Sequence, residues 1–237
     1  GAAPGSILTG ESLVWDGGGQ LAFDLASGNQ LVLTGPLTKG PLPGQRLLLS
    51  TSTPLAHGTL VTLASFASTD LTAADLAYAG LAGYRGVFLV GPTSLQFLVT
   101  GVGATAEYTH WAHLAGLPAD QSGADQDADR DGISNLLEFA LGHDPLRASV
   151  LGLTPTVVSV DGRSYPAVTF ARRVELGGVT TEILIAPNLA FDARFDPVEV
   201  SVTALADGME QVLVRSAVPL AREPRQFFRL AATLPAN

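Results

Sequence analysis

The sequence predicts a mainly β protein with three zones. These are a β-solenoid end or a sandwich over residues 1–104, a short helix–loop–helix joint over 105–150, and an antiparallel β-sandwich over 151–237. Short apolar runs separated by Gly, Pro, Asn and Ser recur in the outer zones and predict strands. Helical periodicity is confined to the middle zone. Charge is uneven as well: eight acids against two bases give the middle zone a net charge of −6.

The first zone contains six strand-like runs: LAFDLA, QLVLTG, RLLLST, GTLVTLASF, GVFLVG and LQFLVTG. Several are apolar at consecutive positions, which is typical of strands buried on both faces or of a solenoid wall. Residues 68–80 predict one short helical turn, with Thr72 as its N-cap. The zone carries only five acids and three bases. This scarcity of charge favours a solenoid, whose rungs stack on one another. A sandwich remains the alternative for this zone.

The middle zone predicts two helices. Thr105 can cap the first, which runs through AEYTHWAHLAG and ends at Gly116 and Pro118. The second follows a loop and covers SNLLEFAL, with Gly142 as its stop.

The third zone predicts a small antiparallel sandwich. Residues 160–163 (VDGR) and 206–209 (ADGM) are turn signals between strand-like runs, as expected for hairpins. The alternation of Val198, Val200 and Val202 predicts one strand with an apolar face.

Residues 127–138 read D-A-D-R-D-G-I-S-N-L-L-E and match the spacing D-x-[DN]-x-[DN]-G-x5-E. In such a loop the alternate residues converge on one point, the glycine permits a sharp turn, and the final glutamate closes the shell with two oxygens. A set of hard oxygen ligands selects Ca²⁺ over transition metals. The alternative is a solvated acidic loop before a helix. We predict one calcium ion, bound by Asp127, Asp129, Asp131, the Ile133 carbonyl, Asn135 and Glu138.

The predicted calcium site stands alone. Its eighth position is Ser134 where paired EF-hands carry an aliphatic residue, and the chain has no second loop. This favours a structural site, as in dockerin-like and thrombospondin type-3-like loops, over a sensor that opens a groove. The middle zone is therefore predicted to be a helix–calcium loop–helix joint.

The segment YTHWAHLAGLP…DQDADRDGISNLLEFALGHDP resembles one near the C-terminus of large secreted bacterial proteins. YPAVTFARRVELGGVTTEILIAPNL…FFRL is similar to their terminal β domain. GTLVTLASFAS…GLAGYRGVFLVGPTSLQFLVTG resembles the last rungs of autotransporter-associated β-strand repeat proteins. The resemblance covers most of the chain. It implies a secreted or cell-surface protein with a solenoid end, a calcium-clamped joint and a terminal sandwich, and it implies no catalytic activity.

Charge and hydropathy exclude two classes of partner. The formal net charge is −9 and Lys39 is the only lysine, so no basic stripe exists to bind nucleic acid. No run reaches the ~18 apolar residues that predict membrane insertion. Cysteine is absent, so disulfides and thiolate metal sites are not expected.

Other candidate chemistry is sparse. His110 and His113 are three residues apart on one helix and can ligate a metal or pack structurally. Arg172 and Arg173 can bind an anion or form a strand-end surface pair. No G-x-S-x-G nucleophile elbow is present, and sequence alone leaves a glycosidase carboxylate pair open.

Three function hypotheses follow. The first is a non-enzymatic structural module of an extracellular protein, whose partners are the upstream part of the same polypeptide or identical subunits, and one version self-assembles into a fibre or sheath. The second is a carbohydrate-binding or enzyme-accessory module that recognises a cell-surface glycan through an exposed aromatic platform. The third is a hydrolase fragment.

Overall fold

The computed structural model describes residues 6–235. It is mainly β, which confirms the predicted class: strand residues make up 44% and helical residues 10%. The chain divides into two compact units, Gly1–His110 and Trp111–Asn237. The boundary falls inside the zone 105–150, and residues 1–5 and 236–237 of the outer predicted zones lie outside the described residues. Among the described residues, no helix is long and apolar enough to cross a membrane.

The first unit is built from short strands. In chain order they are β1 (Ile7–Gly10), β2 (Leu13–Trp15), β3 (Gln20–Asp24), β4 (Gln30–Leu33), β5 (Leu37–Lys39), β6 (Gln45–Ser50), β7 (Leu60–Ser65), β8 (Leu76–Ala79), β9 (Tyr84–Val90) and β10 (Ser94–Val102). Two 3₁₀ turns lie at Ala73–Asp75 and Gly103–Thr105. The first of them follows Thr72, whose N–H and hydroxyl both donate to Asp75 Oδ2 over 2.7 Å.

Strands β1, β2, β3 and β4 each pair in parallel with the strand three places further along, and β6 pairs in parallel with β8. The sets are β1–β4–β7, β2–β5 and β3–β6–β8. Within β6, Leu47 and Leu49 are fully buried, whereas Leu48 is 43% exposed. The consecutive apolar residues of this strand therefore do not mean burial on both faces, and that interpretation is wrong for β6. One leucine face fills the core and the other meets solvent.

Aspartates join successive turns of the chain. Asp16 Oδ1 accepts from the Leu42 N–H over 2.8 Å, and Asp24 Oδ1 accepts from the Ser52 N–H over 3.1 Å. Asp70 Oδ1 likewise accepts from the backbone of Lys39. A carboxylate that accepts a hydrogen bond from a backbone amide is a strong acceptor. Three of the few charged side chains in this unit therefore stabilise the contact between successive turns of the chain.

The pairing becomes antiparallel at the last two strands of the unit, β9 and β10. Strand β10 pairs antiparallel with both β7 and β9. Beneath this hairpin, Phe97 makes edge-to-face contacts with Tyr78 and Phe88 at centroid distances of 5.0 and 5.3 Å. At the far side of the unit, β1, β2 and β3 each have a neighbour on one edge only among the described residues.

The second unit contains α2 and the remaining strands, while α1 (Ala106–Leu114) spans the boundary between the units. Thr105 ends the preceding 3₁₀ turn, and α1 begins one residue later. Helix α2 covers Asn135–Leu141. The strands are β11 (Thr154–Val160), β12 (Arg163–Arg173), β13 (Thr180–Ala186), β14 (Pro197–Ala204), β15 (Met209–Ser216) and β16 (Phe227–Thr233).

These strands form two antiparallel sheets, β11–β12–β15–β14 and β13–β16. Phe170 and Val212 of one sheet and Ile183 of the other belong to one buried cluster, which also includes Leu141 of α2. The strand that the valine alternation predicts is confirmed as β14, but its apolar face is wrong, because the register shifts between Glu199 and Ser201 and leaves Val200 in a bulge.

Candidate metal centre

The acidic loop folds around its own aspartates. One oxygen from each of Asp127, Asp129 and Asp131 lies within 4.8 Å of the others. Asp127 Oδ2 accepts from the Gly132 N–H over 2.8 Å, and its Oδ1 accepts from the Arg130 N–H over 2.7 Å. Gly132 has a φ of 92°, which a residue with a Cβ rarely adopts. The predicted sharp turn therefore lies at this glycine.

Asp131 is held from both sides. Its Oδ1 accepts from the Ile133 N–H over 2.7 Å, and its Oδ2 accepts from the Ser149 N–H over 2.6 Å and from the Ser149 hydroxyl over 3.1 Å. The Ser149 backbone N–H is the main reason why the pKa of the Asp131 carboxyl is lowered, because it stabilises the charged form. Asp131 is thus ionised and fixed in orientation.

Other oxygens in the loop are buried without any donor. They are Asp129 Oδ2, Asn135 Oδ1 and both carboxylate oxygens of Glu138. Asn135 and Glu138 are each 0% exposed. A buried polar atom without a partner costs roughly 1–3 kcal/mol, and a buried unpaired charge costs more. A cation bound in this loop would give all four of these oxygens a partner.

The electrostatic environment of Glu138 is also unfavourable for a carboxylate without a cation nearby. Burial, and then the negative charges of Asp129, Asp131 and Asp127 in that order, together raise the pKa of its carboxyl to about 8. Glu138 lies outside the group of oxygens within 4.8 Å formed by the aspartates. The charges of these three aspartates, and that of Asp144, nevertheless repel a charge on Glu138. A divalent cation would reverse the sign of this local field.

Asn135 is oriented by the chain that precedes the loop. Its Nδ2 donates to the carbonyls of Gln121 (2.8 Å) and Gly123 (3.0 Å), which leaves Oδ1 on the opposite side of the amide. Its backbone N–H donates to the Gln126 carbonyl over 2.7 Å. Sequence reasoning missed the roles of Gln121 and Gly123, because backbone carbonyls carry no residue-specific signal.

The residues present fit calcium. Glu138 offers two free oxygens and Asn135 and Asp129 offer one each. With one oxygen from each of Asp127, Asp131 and the Ile133 carbonyl, the set gives about seven oxygens, within the range that Ca²⁺ takes. Neutral nitrogen and thiolate ligands, which zinc and copper prefer, are absent from the set. The identity of the ion and the complete ligand set remain predictions.

The other predicted sites do not converge on a metal. His110 Nδ1 lies 2.7 Å from Thr100 Oγ1, and His113 is exposed. Within residues 6–235, the three aspartates are the single group of three or more acidic, His or Cys ligands. Arg172 pairs with Glu210, and Arg173 Nε donates to the Phe139 carbonyl over 2.7 Å. The two arginines therefore bond to protein groups, and Arg173 anchors α2.

Comparisons of the chain with protein-family models, with curated proteins and with solved structures found no significant match. The geometry of the site itself is that of an oxygen-rich loop whose three aspartates could hold a metal ion.

Proposed function

We propose that this chain is a non-enzymatic structural module of an extracellular or cell-surface protein, stabilised by one calcium ion. The observation that carries the proposal is the group of buried oxygens on Asp129, Asn135 and Glu138 that have no donor. A cation at that point neutralises the carboxylates and replaces the missing donors at once. The acidic loop then becomes a source of stability, since metal binding adds its free energy to folding.

Calcium acts on stability in this proposal and not as a switch. The loop is already bonded to the chain on both sides, through Asn135 to Gln121 and Gly123 and through Asp131 to Ser149. Binding therefore needs little rearrangement. A ligand that binds the folded state alone stabilises by about 2.7 kcal/mol at a hundredfold excess over its Kd.

We expect one calcium ion per chain in isothermal titration calorimetry. Asp129→Ala should weaken binding on the order of tenfold or more, because it removes a charged ligand and affinity follows ligand charge. Asp125→Ala is the matched control: this exposed aspartate precedes the loop and should leave the Kd unchanged. Wild-type protein that takes up no calcium at millimolar concentration would refute the site.

The strand pairing of the first unit supports a β-solenoid end. Stacked parallel strands at three-strand intervals build rungs, and β1, β2 and β3 form the outermost one. On β1, Ile7 and Leu8 are 60% and 66% exposed, and Val14 of β2 is also exposed. The antiparallel β9–β10 hairpin covers the opposite end with aromatic side chains. We infer that further β-strands of the same polypeptide or of an identical subunit cover the β1–β3 edge.

Self-assembly through this edge is testable by light scattering and electron microscopy. We expect wild-type protein to form ordered oligomers or fibres in calcium, and Leu8→Lys to abolish them, because a charge on the edge opposes strand addition. Leu189→Lys is the matched control, since Leu189 is similarly exposed at 71% but lies in the second unit. A wild-type monomer at high concentration would exclude identical subunits as the partner and leave the same polypeptide.

The second unit supports an antiparallel sandwich, with one buried cluster shared by its two sheets. A glycan-binding role would need an exposed aromatic platform on these strands. Each aromatic residue available there is buried or half-buried: Tyr165, Phe170, Phe191, Phe195, Phe227 and Phe228. The rings of Tyr165 and Phe191 are also covered by the guanidinium groups of Arg215 and Arg229. No observation therefore favours the glycan hypothesis over the structural one.

A further inference from the structure

A hydrogen-bonded chain of side chains from outside the predicted ligand set ends on the calcium loop. Ser149 Oγ lies 2.9 Å from His143 Nδ1 and 3.1 Å from Asp131 Oδ2. The backbone N–H of Ser149 donates to the same carboxylate oxygen over 2.6 Å. Neither His143 nor Ser149 belongs to the loop motif.

Local structure brings His143 back toward the loop. Helix α2 ends at Leu141 and is followed by Gly142, whose φ of 75° is left-handed, and the His143 N–H donates to the Glu138 carbonyl over 2.9 Å. This ending is a common way to reverse the chain after a helix. The following residues then return far enough for Ser149 to meet Asp131, eighteen positions earlier in the sequence.

The number of hydrogens that each group can donate determines the donor and the acceptor in these hydrogen bonds. A serine hydroxyl has one hydrogen to donate, and an ionised carboxylate can only accept. The Ser149 hydroxyl therefore donates to Asp131 Oδ2. Its lone pairs then face His143, so His143 Nδ1 carries the hydrogen that Ser149 Oγ accepts.

This arrangement selects the oxygen that Asp131 offers to a cation. The two donors of Ser149 occupy Oδ2, whereas Oδ1 accepts only from the Ile133 N–H. Oδ1 therefore keeps an open lone pair. Asp131 is limited to one ligand oxygen, which leaves the two-oxygen role to Glu138.

We propose that Ser149 and His143 are positioning residues of the calcium site, with His143 acting through Ser149 and Ser149 acting through Asp131. The inference rests on the proposed calcium site. Groups that orient metal ligands in this way typically change metal affinity by roughly 10–100-fold when they are removed. The relay also ties residues 143–149 to the loop, so ion binding and the order of this segment are coupled.

The test compares calcium affinities by calorimetry in full-length variants. Ser149→Ala should weaken binding about tenfold, and Ser149→Thr, which keeps the hydroxyl, should restore it. His143→Ala should weaken binding as well, and His143→Asn should rescue it, because the Asn amide can donate where Nδ1–H does. The double variant Ser149→Ala/His143→Ala should bind no more weakly than Ser149→Ala alone.

Terbium supplies a readout that a purely structural role would not move. Luminescence lifetimes in H₂O and D₂O count the waters on the bound ion, and Ser149→Ala should change that count as Asp131 loses its fixed orientation. Ser159→Ala, at an exposed position on β11, should not change it. Wild-type affinity and water count in Ser149→Ala, or additive losses in the double variant, would overturn the relay while leaving the calcium site intact. Wild-type protein that binds no calcium would overturn both.

Discussion

Glu138→Gln is expected to stabilise the calcium-free protein at pH 9 and to destabilise the protein in calcium. The wild-type carboxylate is fully buried, has no donor on either oxygen and faces three aspartates. An amide of the same shape removes the buried charge, which is worth on the order of a few kcal/mol. In calcium the same substitution removes a charged ligand, so the ion stabilises the variant less.

The difference between the two proteins should depend on pH in a defined direction. Burial and the neighbouring carboxylates raise the pKa of the Glu138 carboxyl from an ordinary 4.5 to about 8, so between these values the folded chain binds a proton that the unfolded chain has lost. In calcium-free wild type, the contribution of this group to stability is therefore full below about pH 4.5. It falls as pH rises to about 8, and then stays constant. Glu138→Gln does not undergo this loss, so the stability of the variant relative to calcium-free wild type should increase over the same pH interval.

Chemical denaturation with and without calcium, at pH 5, 7 and 9, measures the effect. Asp125→Asn is the matched control, because it removes one acidic charge beside the loop from an exposed side chain. It should show neither the increase in stability in chelator nor the decrease in stability in calcium. If Glu138→Gln were less stable than wild type in chelator at pH 9, the buried carboxylate would have a stabilising partner and the metal-site argument would fail.

Phe97→Ala should destabilise the first unit by about 3–5 kcal/mol, as expected for a large-to-small change in a core. Phe97 is fully buried. Its ring lies at centroid distances of 5.0 Å from Tyr78 and 5.3 Å from Phe88, at the end that the β9–β10 hairpin covers. Replacing the ring by a methyl group would remove both ring contacts and leave a cavity in the core.

The buried Trp15 makes this measurement specific to the first unit. The chain has two tryptophans, so a Trp111→Phe background leaves Trp15 as the single fluorescent reporter during urea unfolding. Leu89→Ala is the control, because Leu89 is an exposed side chain on β9 and should cost well under 1 kcal/mol. An equal loss of stability in both variants would mean that the aromatic cluster is not the core of this end.

Interactions that are local in the chain were accessible from sequence. The residues of the acidic loop lie within twelve positions, so their types and spacing alone indicated a calcium loop and named Asp127, Asp129 and Asp131, which the structure brings within 4.8 Å. Alternating and consecutive apolar runs indicated a mainly β chain for a similar reason, since side-chain direction repeats every two residues.

Interactions between distant residues were decided by the tertiary structure. Strands β1, β2, β5 and β8 are three or four residues long, too short for a period to emerge, and they exist because parallel neighbours supply their hydrogen bonds. The bulge at Val200 is also invisible in a pattern that counts every second residue. The carboxylate of Glu138 is without hydrogen-bond donors, and has a raised pKa, because the packing of α2 in the second unit buries it. Ser149 reached Asp131 only because the chain reversed at Gly142. Sequence spacing fixes which groups can meet within one turn, whereas burial and contacts across many residues follow from how the whole chain packs.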